Sequence, residues 1–594
     1  MTTNEKIQAL RQQMADAQVD YYIVNTADPH QSEYLSEHFK ERAWLTGFTG
    51  SAGTALVSKD QALVWADGRY FIQAARQIEG SEFKLMKMAT PGYPSLNEWL
   101  RQEVKAGEVL GLNEASYSQR NFEFLSQLLA TQGASVKALP SLIAPIWQDR
   151  PAMPEAKIFS HDLQFTGQEA REKIAQVRKQ MEADQAQANI VVGLDDVAWL
   201  YNYRGGDVAN NPVALAFALI TTDEAYLFID EKKVSPAMRQ IFSDQGITLL
   251  PYKQVSNKLS QLKVEKIVLD KRLVNRKLYQ AIPQETKILD KPSYVTQTKA
   301  CLNPVELENQ KKAYIRDSAA ITRYLFWLKR EVKTGEVNEW NAAEKLHELR
   351  SQGENFLDES FSSISAYGPN AAMMHYAPSE EKSSKLEAKS FYLIDSGGQY
   401  YDGTTDITRT IALGSLTEEE KTDFTLTLKS HINLARAIFL AGTTGTQLDI
   451  LAREPLWQHF MDYKCGTGHG VGYVLGVHEG PQRFSTAPSN VALKEGMHIT
   501  IEPGVYKEGL HGIRLENDYV VTYAGENPPD RYLKLEVMSY VPLDNEAIRP
   551  ELLSDQEIDW LNDYHAAVLE KLMPYMTTDS EKSDLEAACR PLSK

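Results

Sequence analysis

Four carboxylates and one histidine in the C-terminal half, Asp395, Asp406, His469, Glu502 and Glu516, stand in apolar or glycine-rich stretches that could hold metal and activate water. Phe391-Tyr-Leu-Ile-Asp395 reads as an apolar strand ending in an acid, and after Ser-Gly-Gly the chain returns through Asp406-Ile-Thr-Arg-Thr-Ile411. The two aspartates then sit on neighbouring strands, with Thr408 on the face of Asp406 because side chains alternate along a strand. Ile499-Thr-Ile-Glu502 and Gly512-Ile-Arg-Leu-Glu516 read as two more apolar strands, each carrying one inward acid, and alternation brings Arg514 to the face of Glu516. Gly466-Thr-Gly-His469-Gly-Val-Gly472 sets a histidine among four glycines, so that its imidazole can lie close to backbone. Four acids buried together need more positive charge than one arginine supplies, and metal ions supply it.

Taken singly, each of these residues has a plainer reading. An Asp beside Ser-Gly-Gly commonly shapes a turn, and His375 and His478 would each serve as ordinary structural histidines. Taken together, two Asp, two Glu and one His form an oxygen-rich set that suits hard or borderline ions such as Mn²⁺ more than a thiolate-bound zinc. Carboxylates can bridge two ions about 3.5–4 Å apart, an arrangement that activates water in hydrolases. The sequence offers no competitor: His-Glu-x-x-His, the phosphate-binding Gly-x-x-x-x-Gly-Lys and the Gly-x-Ser-x-Gly elbow are all absent.

The elements that must position this set belong to a mixed α/β chain. At ~100–200 residues per domain, 594 residues predict three or four domains. Apolar residues at 43% and charged residues at 24% are ordinary globular proportions, which excludes a largely disordered chain. Lys6 to Ala17 reads as a helix, and Tyr21 to Asn25 and Ala62 to Trp65 as buried strands. Beyond the proline-containing stretch Pro140 to Pro154 the pattern repeats: Arg42-Ala-Trp-Leu-Thr-Gly-Phe-Thr-Gly finds an echo in Val197-Ala-Trp-Leu-Tyr-Asn-Tyr-Arg-Gly, which predicts two related α/β domains in tandem. From Val305 to Arg330 the spacing of Ile315, Ala319, Tyr324 and Leu328 predicts a long amphipathic helix serving as scaffold. Thr417-Glu-Glu-Glu420 and Ser554-Asp-Gln-Glu557 read as capping boxes, the second opening a helix over Ile558 to Leu572.

Charge and cysteine usage bound the partners and the compartment. A net charge of −17 would repel a phosphate backbone, so nucleic acid is not an expected partner. The polar start Met1-Thr-Thr-Asn-Glu-Lys lacks the pattern of a secretory signal, and the longest apolar run, Val213 to Ile220, is far short of the ~20 residues that cross a bilayer. Cys301, Cys465 and Cys589 are odd in number and widely spaced, which fits a reducing cytoplasm and not a disulfide framework.

Tyr392-Leu-Ile-Asp-Ser-Gly, Asp402-Gly-Thr-Thr-Asp406-Ile-Thr-Arg-Thr, Gly466-Thr-Gly-His-Gly-Val-Gly, Val477-His-Glu-Gly-Pro, Ile501-Glu-Pro-Gly and Gly512-Ile-Arg-Leu-Glu-Asn517 closely resemble the Xaa-Pro aminopeptidases (aminopeptidase P) in order and spacing. His30-Gln-Ser-Glu-Tyr34, Gly47-Phe-Thr-Gly-Ser-Ala-Gly53 and Asp67-Gly-Arg-Tyr-Phe71 extend the resemblance over essentially the whole chain, to the three-domain form. It implies two creatinase-like α/β domains, residues 1–156 and 157–303, followed by a pita-bread catalytic domain, 304–594, with a helical extension from about 545. It assigns Asp395, Asp406, His469, Glu502 and Glu516 as ligands of two divalent ions, most often Mn²⁺, and a cytoplasmic homodimer. The ions would turn a shared water into a bridging hydroxide that attacks the bond before proline, with Glu502 as proton shuttle. His375 and His478 fall where relatives touch substrate and oxyanion, Tyr506 joins the substrate contacts, and Arg514 the catalytic set. One departure is Cys465, where many relatives carry a histidine four residues before the ligand histidine. The alternatives are a prolidase that cleaves only Xaa-Pro dipeptides, and a pita-bread binding module without metal.

Overall fold

A computed structural model describes residues 1–594. The chain forms two compact units, one of Met1–His161 and Gln168–Thr296, the other of Asp162–Gly167 and Gln297–Lys594.

The first unit holds two six-stranded sheets of one topology. Strand order is Phe83–Lys87, Ala62–Ala66, Thr54–Ser58, Tyr21–Asn25, Val109–Asn113 and Ser135–Leu139 in the first sheet. In the second it is Ile247–Pro251, Ala225–Ile229, Ala216–Thr221, Ala188–Val191, Lys266–Leu269 and Lys287–Asp290. In both, the fourth strand of this order runs antiparallel to the third and parallel to the fifth. Ala62–Ala66 and Ala225–Ile229 are buried along their whole length, as strands covered on both faces must be. The sequence echo has a counterpart here: Trp44 lies in helix Glu41–Thr46 and Trp199 in helix Leu194–Leu200, each following the opening strand of its own sheet. The first helix begins at Thr3, earlier than its apolar periodicity suggests, because Thr2 and Glu5 form a capping box that satisfies the leading N–H groups.

In the second unit, helix Pro304–Glu331 is capped by Asn303, with Glu306 returning the bond and Pro304 at the first position. Ala319, Tyr324 and Leu328 are buried on its inner face. Both predicted capping boxes form, opening Glu418–Ala435 and Asp555–Leu572. The latter packs Leu561, Val568 and Leu572 with Leu585 of helix Asp579–Ala588 in one core.

Between these helices the strands Ile364–Tyr367, Phe391–Ser396 and Ile407–Ala412 make an antiparallel sheet in which Asp395 stands opposite Thr408. A six-stranded sheet runs in the order Ile438–Leu440, Asp530–Val537, Asn517–Asn527, His498–Ile501, Gly468–Gly470 and Glu479–Phe484. Strands Gly504–Lys507 and His511–Arg514 form a separate pair. The two aspartates thus stand at neighbouring strands, but their connection is not a bare turn, since Gly398–Tyr400 and Gly403–Thr404 pair within it. Glu502 and Glu516 lie just past strand ends, not within strands. Pro503 has no N–H with which to continue the ladder after Glu502, and at Glu516 the chain leaves one sheet for another. No helix is long and apolar enough to cross a membrane.

Candidate metal centre

Asp395, Asp406, His469, His478, Glu502 and Glu516 converge on one small volume. Ligating atoms of Asp395, Asp406 and Glu516 lie within 4.8 Å of one another, as do those of His469, Glu502 and Glu516, and those of Asp406, His469 and His478. The first two groups share Glu516, so two neighbouring positions are each surrounded by three donors, with a common carboxylate between them. His469 Nδ1 lies 3.0 Å from the Gly470 carbonyl, which can only accept, so this nitrogen carries the proton. Nε2 then turns its lone pair to Asp406 and Glu502, at 3.5 and 3.8 Å. The flanking glycines permit this approach: a Cβ on Gly468 would stand 2.0 Å from the Thr500 carbonyl oxygen, and one on Gly470 2.2 Å from that of Glu479.

Whether the cluster suits cations is decided by its own unmet bonding. Asp395 Oδ1, Asp406 Oδ1 and Glu516 Oε1 are buried carboxylate oxygens with no hydrogen-bond partner. Unpaired acceptors of this kind are costly in a protein interior, and three aimed at one place fit a divalent cation. Burial, and then the charges of Glu516 and Asp395, push Asp406 well above the ordinary carboxylate range. Burial, and then Glu502 and Asp395, do the same to Glu516, against a 2.6 Å hydrogen bond donated by Thr408 Oγ1.

Arg514 is buried beside this set, and its direct partner is Asp395, not Glu516. Its Nη2 donates to Asp395 Oδ2 at 2.6 Å and its Nη1 to the Tyr506 hydroxyl at 2.8 Å, while Nε reaches Thr408 Oγ1 at 3.2 Å. Burial disfavours its charge, yet Tyr506 and the carboxylates Asp395 and Glu502 hold the guanidinium more firmly protonated than usual. His375 is half-buried just after the short turn Gly368–Ala372, next to Met374, whose carbonyl also accepts from Arg514. That turn is pressed onto strand His511–Arg514, where a Cβ on Gly512 would stand 1.8 Å from the Ala371 carbonyl oxygen. His478 is nearer the acids than a purely substrate-facing role requires: a ring nitrogen lies within 4.8 Å of an Asp406 oxygen, and its ring centroid is 4.1 Å from that of His469. Cys465 packs with Leu426, Leu456, Tyr463 and Val505 as a small apolar residue.

Behind the donors stands a second layer that the sequence analysis missed. Asp518, two residues beyond Glu516, is wholly buried and accepts from His498 Nε2 at 2.8 Å, and the Tyr314 hydroxyl stands 3.1 Å from the same nitrogen. Behind the His469 loop, Arg453 Nε donates to Asp449 at 2.7 Å, and Asp449 accepts from Thr467 Oγ1 at 2.5 Å. Alternation from Glu516 is a signal that could have flagged Asp518. Asp449 and Arg453 stand one turn apart on helix Gly445–Trp457, a spacing that signals their ion pair, but nothing local ties that pair to Thr467.

Comparison with known proteins finds relatives over the whole chain. Residues 308–523 match the profile of metallopeptidase family M24, 6–146 and 149–306 those of creatinase/prolidase N-terminal domains, and 531–592 that of the C-terminal region of peptidase M24. Aminopeptidase P2 of Arabidopsis thaliana is 36% identical over 100% of this chain and 89% of its own length. A probable Xaa-Pro aminopeptidase P of Ajellomyces dermatitidis is 38% identical over 97% of each chain. Among solved structures, an X-prolyl aminopeptidase from Caenorhabditis elegans, described as a cytosolic enzyme with a di-nuclear active site, superposes with a TM-score of 0.96 at 33% identity, covering 100% of both chains. A Xaa-Pro dipeptidase from Bacillus anthracis covers only 63% of this chain and 99% of its own, at 24% identity and a TM-score of 0.51, a likeness of fold alone.

Proposed function

We infer the activity of this chain from its family: it belongs to metallopeptidase family M24, with two creatinase/prolidase N-terminal domains ahead of the catalytic one. It is a metal-dependent Xaa-Pro aminopeptidase that releases the first residue of peptides whose second residue is proline. Carrying this reading is a centre with two three-donor positions that share Glu516, in a chain similar from end to end to aminopeptidases of this specificity.

We assign Asp395, Asp406, His469, Glu502 and Glu516 to two divalent ions, and Mn²⁺ suits their oxygen-rich donor set. When bound, the ions supply Lewis acidity that lowers the pKa of a water and polarises the scissile carbonyl. The remaining work falls to side chains. We take Glu502 as the proton carrier because its side chain is 21% exposed, against 10% for Asp395 and 5% for Asp406, so that among these acids it is the most open. It takes the proton from water and delivers it to the leaving proline nitrogen. His375 and His478 donate hydrogen bonds to the oxyanion. Arg514 holds Asp395 in place, and Tyr506, bonded to Arg514, completes the substrate contacts. Asp395 receives the free amino group of the peptide, which limits cleavage to one residue. The bond before proline carries no N–H, so ring shape and not a donated bond selects the substrate.

A cytoplasmic location is supported by a chain with three cysteines and no disulfide, and by the likeness to a relative described as cytosolic. We propose a homodimer through the catalytic domain by similarity to the family, and the apolar side chains exposed there, Trp457 and Phe460, are candidates for its interface. We place the domain limits at 1–156, 157–303 and 304–594, with the helical extension from about 545. Turnover of an Ala-Pro-Ala tripeptide and an Ala-Pro dipeptide by chelator-treated protein, with Mn²⁺, Co²⁺ or Zn²⁺ restored, tests the whole reading. The tripeptide should be cleaved and Mn²⁺ should restore it most; cleavage of the dipeptide alone would make the protein a prolidase, and uptake of no metal would make it a binding module.

A further inference from the structure

One buried ion pair grips the connection between Asp395 and Asp406 at both ends. Asp317, on helix Pro304–Glu331, and Arg350, near the end of helix Glu339–Ser351, are both fully buried, and Arg350 Nε donates to Asp317 Oδ1 at 2.6 Å. Arg350 Nη2 also donates to Ser396 Oγ at 3.0 Å, and Thr405 Oγ1 donates to Asp317 Oδ2 at 2.6 Å. Ser396 directly follows Asp395 and Thr405 directly precedes Asp406. Tyr400, midway along the connection, donates its hydroxyl to Asp317 Oδ1 at 2.9 Å. Two turns earlier on the same helix, Gln310 bonds both the N–H and the carbonyl of Thr404. The ends of the connection are in closest approach, since a Cβ on Gly397 would stand 1.8 Å from the Thr405 carbonyl oxygen.

We propose that the Asp317–Arg350 pair is a positioning device that sets the separation of the Asp395 and Asp406 carboxylates, and through it the affinity of the centre for its metal ions. This rests on reading both aspartates as ligands. Stability alone does not account for the pair, because a buried ion pair is often replaceable by apolar residues at no loss. What an apolar pair could not do is hold Ser396, Tyr400 and Thr405 at fixed points. Second-layer partners of this kind typically change metal affinity 10–100-fold. The helix is therefore more than the scaffold its apolar periodicity suggests.

Titrating full-length, chelator-treated protein with Mn²⁺ by calorimetry tests this, with melting of the metal-free form followed in parallel. Thr405→Val and Ser396→Ala should each weaken binding of at least one ion about 10-fold or more, with little change in metal-free melting. Thr405→Ser, which keeps the hydroxyl, should restore affinity. Asp317→Asn should show the largest loss. Unchanged Mn²⁺ affinity in Thr405→Val and Ser396→Ala, while wild type binds two ions and Asp406→Asn loses them, would overturn the positioning role alone. A wild-type chain that binds no Mn²⁺, or an Asp406→Asn variant that keeps both ions, would remove the ligand reading and this inference with it.

Discussion

Glu502 differs from the other three acids in being open on one side, and this separates the duty of carrying a proton from that of holding charge. Glu502→Gln keeps the shape but cannot carry the proton, and turnover should fall at least ~100-fold; near-normal turnover with both metals bound would assign the proton to another group. The two neighbouring histidines divide differently. His469 presents Nε2 to two acids, so His469→Ala should lose metal, whereas His478→Ala should keep it and lose the ~2.7–4 kcal/mol of one oxyanion donor. Elemental analysis of both variants decides this, and the nearness of His478 to Asp406 makes the comparison exacting: equal loss would make His478 a ligand. Arg514 makes three separate side-chain bonds with one planar group. Arg514→Lys should bind metal but turn over more slowly, since an ammonium cannot reproduce that fork, while Arg514→Ala should also loosen the metals by leaving Asp395 unpaired. Wild-type metal affinity in Arg514→Ala would show that Asp395 does not depend on it.

Elements carry the centre by bringing their ends together, and helix Asp555–Leu572 holds the segment that follows strand Asp530–Val537. His565 on this helix accepts the Leu543 N–H at Nε2, 3.2 Å away. Burial, and then the charge of Arg409, hold it down to about 4 from 6.5. Its folded pKa is below its unfolded one, so its contribution is complete above pH 6.5 and is lost as pH falls through about 4. The loss is on the order of 3 kcal/mol. His565→Gln keeps an acceptor and cannot take a proton, so its melting temperature should fall less steeply between pH 7 and 4 than that of wild type. Parallel acid limbs would show that His565 does not govern the loss.

At the scale of the whole molecule, Phe460 is the least economical residue. Its side chain is 99% exposed and its backbone is left-handed at φ 57°, a conformation a bulky residue seldom adopts. Covering by a second chain would recover the lost burial, with Trp457 nearby on the preceding helix. Phe460→Glu should therefore move the sedimentation profile toward monomer without changing circular dichroism. An unaltered profile would place the dimer interface elsewhere, or show that the chain is monomeric.

Among the proposed ligands, Asp395, Glu502 and Glu516 were legible in the sequence because an acid at the end of an apolar run must meet positive charge once it is buried, and His469 because of the glycines around it. Asp406 and Arg514 were legible because strand alternation is a local rule that needs no partner. Capping boxes at Thr417 and Ser554 were legible for a similar reason, each being closed within four residues. The tertiary structure alone decided that Arg514 pairs with Asp395, 119 positions away, and that Asp518, His498 and Tyr314 form a layer behind Glu516. It also decided that helix Pro304–Glu331 turns polar side chains toward the Asp395–Asp406 connection. A side chain's type and its local period state which face it occupies. Which distant group meets it there depends on how separate elements pack, and that is settled only when the core closes.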